Sequence, residues 1–92
     1  MEFEWDAYKA RTNLTKHGVS FHEAATVFND PFALTYPDPD HSVEEDRFIT
    51  IGLCSPHRLL IVAHTDRNGR LRIISARETT HRERKLYEED ES

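Results

Sequence analysis

A titratable base, cations that can hold an anion such as a phosphate, and hydroxyls that can give up a proton are the side chains from which acid–base chemistry at a phosphodiester is built. The second half of the 92-residue chain carries all three kinds of side chain: His64 within an apolar run, Arg67, Arg70 and Arg72 about an Asn68-Gly69 pair, then Ser75, Arg77 and Tyr87. Asn-Gly is a strong signal for a two-residue hairpin, and such a turn places Arg67 opposite Arg70, Thr65 opposite Arg72 and His64 opposite Ile73. Strict alternation onward puts Ser75 and Arg77 on the face of Ile73, which is also the face of His64, so a histidine, a hydroxyl and an arginine are expected to converge. The opposite face carries Arg67, Arg70 and Arg72. Ile61, Ala63, Ile74 and Ala76 are as apolar as Leu60, Val62, Leu71 and Ile73, so the pattern leaves open which face the helices cover. His64 suits a hydrogen-bonded core histidine equally well. Arg77, following a strand, needs an anion: a phosphate, or Glu45, Asp46 or Glu83.

The elements that must position these residues are legible from period and capping. A short strand over 2–5 leads to Asp6, the expected N-cap of a helix from about Ala7 to His17 that Gly18 closes. Ala7, Ala10 and Leu14 form its thin apolar side, with Lys9, Asn13, Lys16 and, at the margin, His17 on another. Ser20 to Glu23 is a capping box, and Phe21, Ala24, Ala25 and Phe28 give a core-facing helix ending near Asn29. The period then drops to two at Phe32, Leu34 and Tyr36 until Pro37-Asp38-Pro39-Asp40 breaks the strand. Strands are expected over Arg47–Leu53, Arg58–Thr65 and Arg70–Ala76. Thr80 to Glu83 is a second capping box, opening a terminal helix whose main apolar residues are Leu86 and Tyr87. The expected fold is α+β in one domain over 1–92: two N-terminal helices, an antiparallel sheet of four to five strands, and a short C-terminal helix.

Composition bounds the function classes. So short a chain has room for one modest core. No apolar run approaches the roughly 18 residues of a membrane span, and the acidic N-terminus is unlike a signal peptide, so no membrane is expected as a partner. Cys54 is the single cysteine; it ends an apolar pattern as a small hydrophobe would, and a catalytic thiol is the sharper alternative. The net charge of −5 hides an asymmetry, with −6 over 1–57, +5 over 58–85 and −4 over 86–92. Seven of the eight basic residues in the middle stretch are arginine, whose planar fork matches phosphate. The six histidines show no metal-ligand spacing, and no glycine-rich phosphate loop is present, so neither metal nor cofactor is expected.

The series Phe3-Glu4-Trp5-Asp6, Lys9, Asn13, Lys16-His17-Gly18-Val19-Ser20-Phe21-His22-Glu23-Ala24, His41, Glu45-Asp46-Arg47 and Arg72-Ile73-Ile74-Ser75-Ala76-Arg77 resembles the BrnT toxins from about Phe3 to Glu88. Asp66 departs from the glutamate of that pattern while keeping the charge. The resemblance implies a RelE-like ribonuclease fold, cytoplasmic RNA cleavage that stops translation, and a BrnA-like antitoxin forming a hetero-oligomer that binds operator DNA. The matched polar positions are Lys9, Lys16, His17, Arg47, His64, Arg67, Arg72, Arg77, Glu83, Arg84 and Tyr87. On this expectation Arg77 and Arg67 hold the phosphate, His64 acts as base or acid, and Tyr87 stacks on a base or donates a proton. Lys9, Lys16, Arg47, Arg72 and Arg84 guide the RNA backbone. The rival expectation is a non-catalytic protein-binding module acting as co-repressor with a DNA-binding partner.

Overall fold

A computed structural model of the chain describes residues 1–38, 40 and 46–90. Its elements are β1 (Phe3–Glu4), α1 (Ala7–His17), α2 (Phe21–Ala25) running into a 3-10 turn (Thr26–Asn29), β2 (Leu34–Pro37), β3 (Arg47–Leu53), β4 (Leu59–Arg67), β5 (Arg70–Glu78) and α3 (His81–Asp90). The five strands form one sheet in the order β1-β5-β4-β3-β2. All neighbours are antiparallel except β1, which pairs parallel to β5 at Leu71 and Arg72. The sheet is therefore mixed, not purely antiparallel as expected.

Local chemistry sets the boundaries. The Asp6 carboxylate accepts from the Lys9 N–H at 2.9 Å, Ser20 Oγ accepts from the Glu23 N–H at 3.0 Å, and Gly18 closes α1 in the left-handed region. At α3 the capping box is reciprocal: Thr80 N–H donates to Glu83 Oε1 at 2.8 Å, and Glu83 N–H donates to Thr80 Oγ1 at 3.3 Å. Asn68 and Gly69 both take positive φ, 54° and 78°, as the tight hairpin between twisted strands requires. Arg67 opposes Arg70, Thr65 opposes Arg72 and His64 opposes Ile73.

Beyond that point the alternation breaks. Ala63 pairs with Ser75 while His64 pairs with Ile73, so Ile74 is an extra residue on β5. A bulge of this kind reverses the facing of everything beyond it. Leu71 and Ile73 therefore share the helix-covered face with Ala76, and Ser75 and Arg77 turn to the other side. The convergence of His64 with Ser75 and Arg77 does not form.

The covered face is the one bearing Leu60, Val62, Leu71, Ile73 and Ala76, which pack against Val19, Phe21, Ala24 and Val27. The 3-10 turn presses closely on β3: a Cβ on Gly52 would lie 2.7 Å from Val27 Cγ1, so any side chain there displaces the turn. On the open face a smaller cluster of Ile51, Leu59 and Tyr87, flanked by Tyr36 and Ile61, seats α3. Leu14 does not serve as an anchor of α1; it is 53% exposed, and Asn13 is buried in its stead. The reason lies in β5. Since β1 ends opposite Arg72, the Ala76 peptide groups facing away from β4 have no strand beside them. The Asn13 side chain supplies one, its amide donating to Ala76 C=O at 2.8 Å and accepting from Ala76 N–H at 3.1 Å. A further bond runs from the amide to Val19 C=O at 2.9 Å.

Replacing Asn13 by alanine leaves three buried backbone groups without partners and is expected to cost about 2–4 kcal/mol. Urea unfolding of Asn13→Ala against wild type measures this; an unchanged midpoint would show that the amide contributes no stability at the β5 edge.

A candidate nucleic-acid interface on the open sheet face

The reversal at Ile74 creates a cleft of about 300 Å³ on the open face. Its apolar floor is Ile49, Ile61, Ala63 and Ile74, and its polar rim is His17, Asp38, Arg47, Ser75 and Arg77. A groove of about 390 Å³ between α1 and β5 adjoins it, sharing His17, Ile74 and Ser75 and adding Tyr8, Lys9 and Lys16. A cationic track thus runs from Lys9 and Lys16, past His17, to Arg47 and Arg77, with an apolar bed beneath its far end.

Arg77 is held in a fork-to-fork pair, Nη1 to Glu83 Oε1 and Nη2 to Oε2, each at 2.9 Å. Of the anions considered for it, Glu83 is one that the structure supplies. The hydrogen bonds to Glu83 push the Arg77 pKa up, and those to Arg77 hold the Glu83 carboxyl below its ordinary range, so both stay charged. Glu83 thereby does two things with one carboxylate: it caps α3 and aims Arg77. The arginine side chain is still 41% exposed, leaving part of its donor edge toward the cleft.

The other expected site residues lie elsewhere. His64 is 5% exposed on the helix-covered face, edge-on to Phe28 and stacked with Phe48. Its Nε2 shares a 2.7 Å hydrogen bond with Thr50 Oγ1, which in turn meets Thr35 Oγ1 at 2.7 Å. Desolvation lowers its pKa, partly opposed by the charge of Asp66. It is a neutral core histidine that lines neither the cleft nor the groove. Tyr87 is likewise an anchor, its hydroxyl donating to Asp30 Oδ2 at 2.6 Å. Burial raises the Asp30 pKa, but the Leu53 N–H, the Tyr87 hydroxyl and the Phe32 N–H outweigh it and hold the carboxyl below its ordinary value. Arg67 lies at the hairpin end, Arg72 pairs with Glu4 at 2.9 Å, and Arg84 faces Glu88 on α3 at 3.9 Å. None of these three lines the cleft.

Lys9, Lys16, Arg47 and Arg77 are the expected residues that the fold does gather. His17, at the margin of the α1 pattern, lines both the cleft and the groove, and Asp38, for which the sequence suggests no role beyond breaking a strand, lines the cleft. Position next to Gly18 could have flagged His17, since the last residue of a helix is fixed by its C-cap. Cys54 is buried, its thiol donating to Glu23 at 3.1 Å, and burial pushes its pKa up; it is not a poised nucleophile. Among the described residues, no group of three or more His, Cys, Asp or Glu is placed to hold a metal ion. Among them, too, no helix is long and apolar enough to cross a membrane. His41 and Glu45 of the sequence series lie outside the described residues.

Fold and cleft together define a small α+β protein with two N-terminal helices on one sheet face and, beside the C-terminal helix on the other, a cationic, apolar-floored cleft. The chain belongs to the BrnT family: the family described as "Ribonuclease toxin, BrnT, of type II toxin-antitoxin system" matches residues 5–83. Membership in a type II family implies an antitoxin partner. A search of the solved structures finds the Brucella abortus ribonuclease toxin BrnT, 25% identical, with a TM-score of 0.69 over 88% of this chain and 99% of that one. Comparison with the curated proteins returned no match.

The core position of His64 has a pH signature. Its folded pKa lies below the ordinary 6.5, so below about pH 6.5 the unfolded chain takes up a proton that the native state refuses, and stability falls as the pH drops. Glu23, Asp30 and Glu83, all held below their ordinary values, add a separate loss at more acid pH. Urea unfolding at pH 7.5 and pH 5.5 is expected to show lower stability at the acid value for wild type and a flatter profile for His64→Gln. Equal slopes would place the titration elsewhere.

Proposed function

We propose that this chain is an endoribonuclease that cuts RNA in the open-face cleft without a metal ion, thereby inhibiting translation. The observation that carries the proposal is the meeting of His17, Ser75, Arg47 and Arg77 around one cleft, to which the Lys9–Lys16 groove leads. Two guanidinium groups hold the non-bridging oxygens of the scissile phosphate and the charge that grows on them. His17 takes the 2'-hydroxyl proton as the 2'-oxygen attacks phosphorus, and the Ser75 hydroxyl orients the substrate. The P–O5' bond breaks, leaving a 2',3'-cyclic phosphate, and the departing 5'-oxygen takes its proton from water at the open mouth. Lys9 and Lys16 guide the flanking backbone as phosphate contacts do. His64 and Tyr87 support this site through the core and through α3, without touching RNA.

In this reading the protein acts in the cytoplasm. A BrnA-like antitoxin silences it by covering the cationic track, in a hetero-oligomer that binds operator DNA through the antitoxin.

The test is cleavage of a labelled RNA by purified protein in excess EDTA. Wild type is expected to cut; Arg77→Ala and His17→Ala are each expected to lose about a hundredfold or more, whereas Tyr87→Phe, if folded, keeps its rate within a few fold. Cleavage that needs added metal would overturn the metal-free mechanism. No cleavage by folded wild type, even with ribosomes present, would favour a non-catalytic co-repressor module.

A further inference from the structure

A carboxylate is an odd neighbour for a phosphate track, and the cleft has one. Asp38 directly follows β2, and its N–H donates to Arg47 C=O at 2.9 Å, carrying the β2–β3 ladder one step past the Pro37–Phe48 pair. That bond fixes its backbone beside Arg47. The residue is buried, 9% exposed, and lines the cleft together with the apolar floor of Ile49, Ile61, Ala63 and Ile74. Its Oδ1 accepts from the Asp40 N–H at 3.3 Å. A carboxylate among apolar side chains offers acceptors where a phosphate needs donors, so this wall suits the donor-bearing edge of a base.

We propose that Asp38 reads guanine, making the cleft a base pocket that selects the nucleotide next to the scissile phosphate. This rests on the reading that the cleft takes RNA. A carboxylate accepts hydrogen bonds and donates none. Guanine presents two adjacent N–H donors, N1–H and the 2-amino group, on its Watson–Crick edge. Adenine and cytosine each set one amino donor beside a ring-nitrogen acceptor, and uracil sets one imino donor between two carbonyls. Single-stranded RNA offers that edge for readout while the base face lies against side chains, and here Ile49, Ile61 and Ile74 supply the apolar contact. A volume of about 300 Å³ suits a nucleobase with its sugar. Arg47 and Arg77 at the rim then take the phosphate attached to it.

The experiment uses otherwise identical single-stranded RNAs carrying one G, inosine, A, C or U. Wild type is expected to cut at G in preference to A by roughly tenfold to a hundredfold, the range for a paired base contact. Inosine, which lacks the 2-amino group, falls between. Asp38→Asn, checked for folding by thermal melting, is expected to bring G and A within a few fold of each other. Wild type that cuts all substrates alike, or an Asp38→Asn that keeps the preference for G, would overturn the proposal.

A second measurement is independent of cleavage: amide and methyl NMR shifts on titrating the wild type with millimolar 5'-GMP, 5'-IMP and 5'-AMP. Selective GMP shifts at Ala63 and Ile74, lost in Asp38→Asn, support the base pocket even where no RNA is cut, in which case the ribonuclease reading alone fails. Equal binding of GMP and AMP, or binding of neither, overturns the pocket.

Discussion

Asn13 holds the outer edge of β5 as a neighbouring strand would, and much of the molecule depends on that contact. Its amide occupies both peptide groups of Ala76, two residues beyond the bulged Ile74. A bulge left unsupported at a sheet edge can relax by slipping one residue, which would restore alternation and send Ser75 and Arg77 back toward the helices. With Ala76 pinned, slippage would break two buried hydrogen bonds and move Ala76 out of the core. The same contact docks α1 and so brings His17, at the helix end, to the shared wall of the cleft and groove. Packing, register and the candidate site therefore rest on one side chain.

Charge follows a similar economy. The positive stretch over 58–85 does not form a bare patch, because the acidic first half folds back on it. Arg72 meets Glu4, Arg70 lies 3.9 Å from Glu2, and Arg58 joins Glu23, Glu78 and the Gly18 carbonyl. The Arg58–Glu23 pair is well formed, with Nε and Nη2 at 2.6 and 2.7 Å from the two carboxylate oxygens. It stitches the corner between α1 and α2 to the start of β4. These arginines are spent on architecture, which is why the number of basic residues in a stretch overstated the surface available to a polyanion. Of the basic residues in that stretch only Arg77 lines the cleft; the rest of the track draws on Lys9 and Lys16 of α1 and Arg47 of β3, basic residues within the first 57, whose net charge is −6.

Elements and boundaries were largely legible in the chain. The caps at Asp6, Ser20 and Thr80, the hairpin at Asn68-Gly69 and the strand over Arg47–Leu53 all stand where residue chemistry put them. What was not legible was the facing of Arg77. A bulge marked by glycine can be read, but this one is made by Ile74, a β-branched strand-former directly after another, Ile73, and nothing in that pair announces an extra residue. One unread residue reversed the site, separating His64 from Ser75 and Arg77 and replacing it with His17. Leu14 misled in the same way, since hydropathy favours a leucine over an asparagine as the anchor of a helix. The asparagine is buried because its amide resembles a peptide, a property that hydropathy does not record.

The two histidines show how the fold divides its labour. His64 lies between Phe28 and Phe48, bonded to Thr50, where protonation is opposed by burial; a group kept neutral and out of solvent serves packing. His17 is half-buried at the end of a helix, between a groove lined by lysines and a cleft lined by arginines. The two N-terminal helices thus stabilise one sheet face and lend only the end of α1 to the other. On that second face α3 is tied at two points, by Tyr87 to Asp30 and by Glu83 to Arg77. Because Glu83 also closes the capping box, formation of α3 and orientation of Arg77 are one event, and anything that lifts α3 from the sheet removes a cation from the cleft.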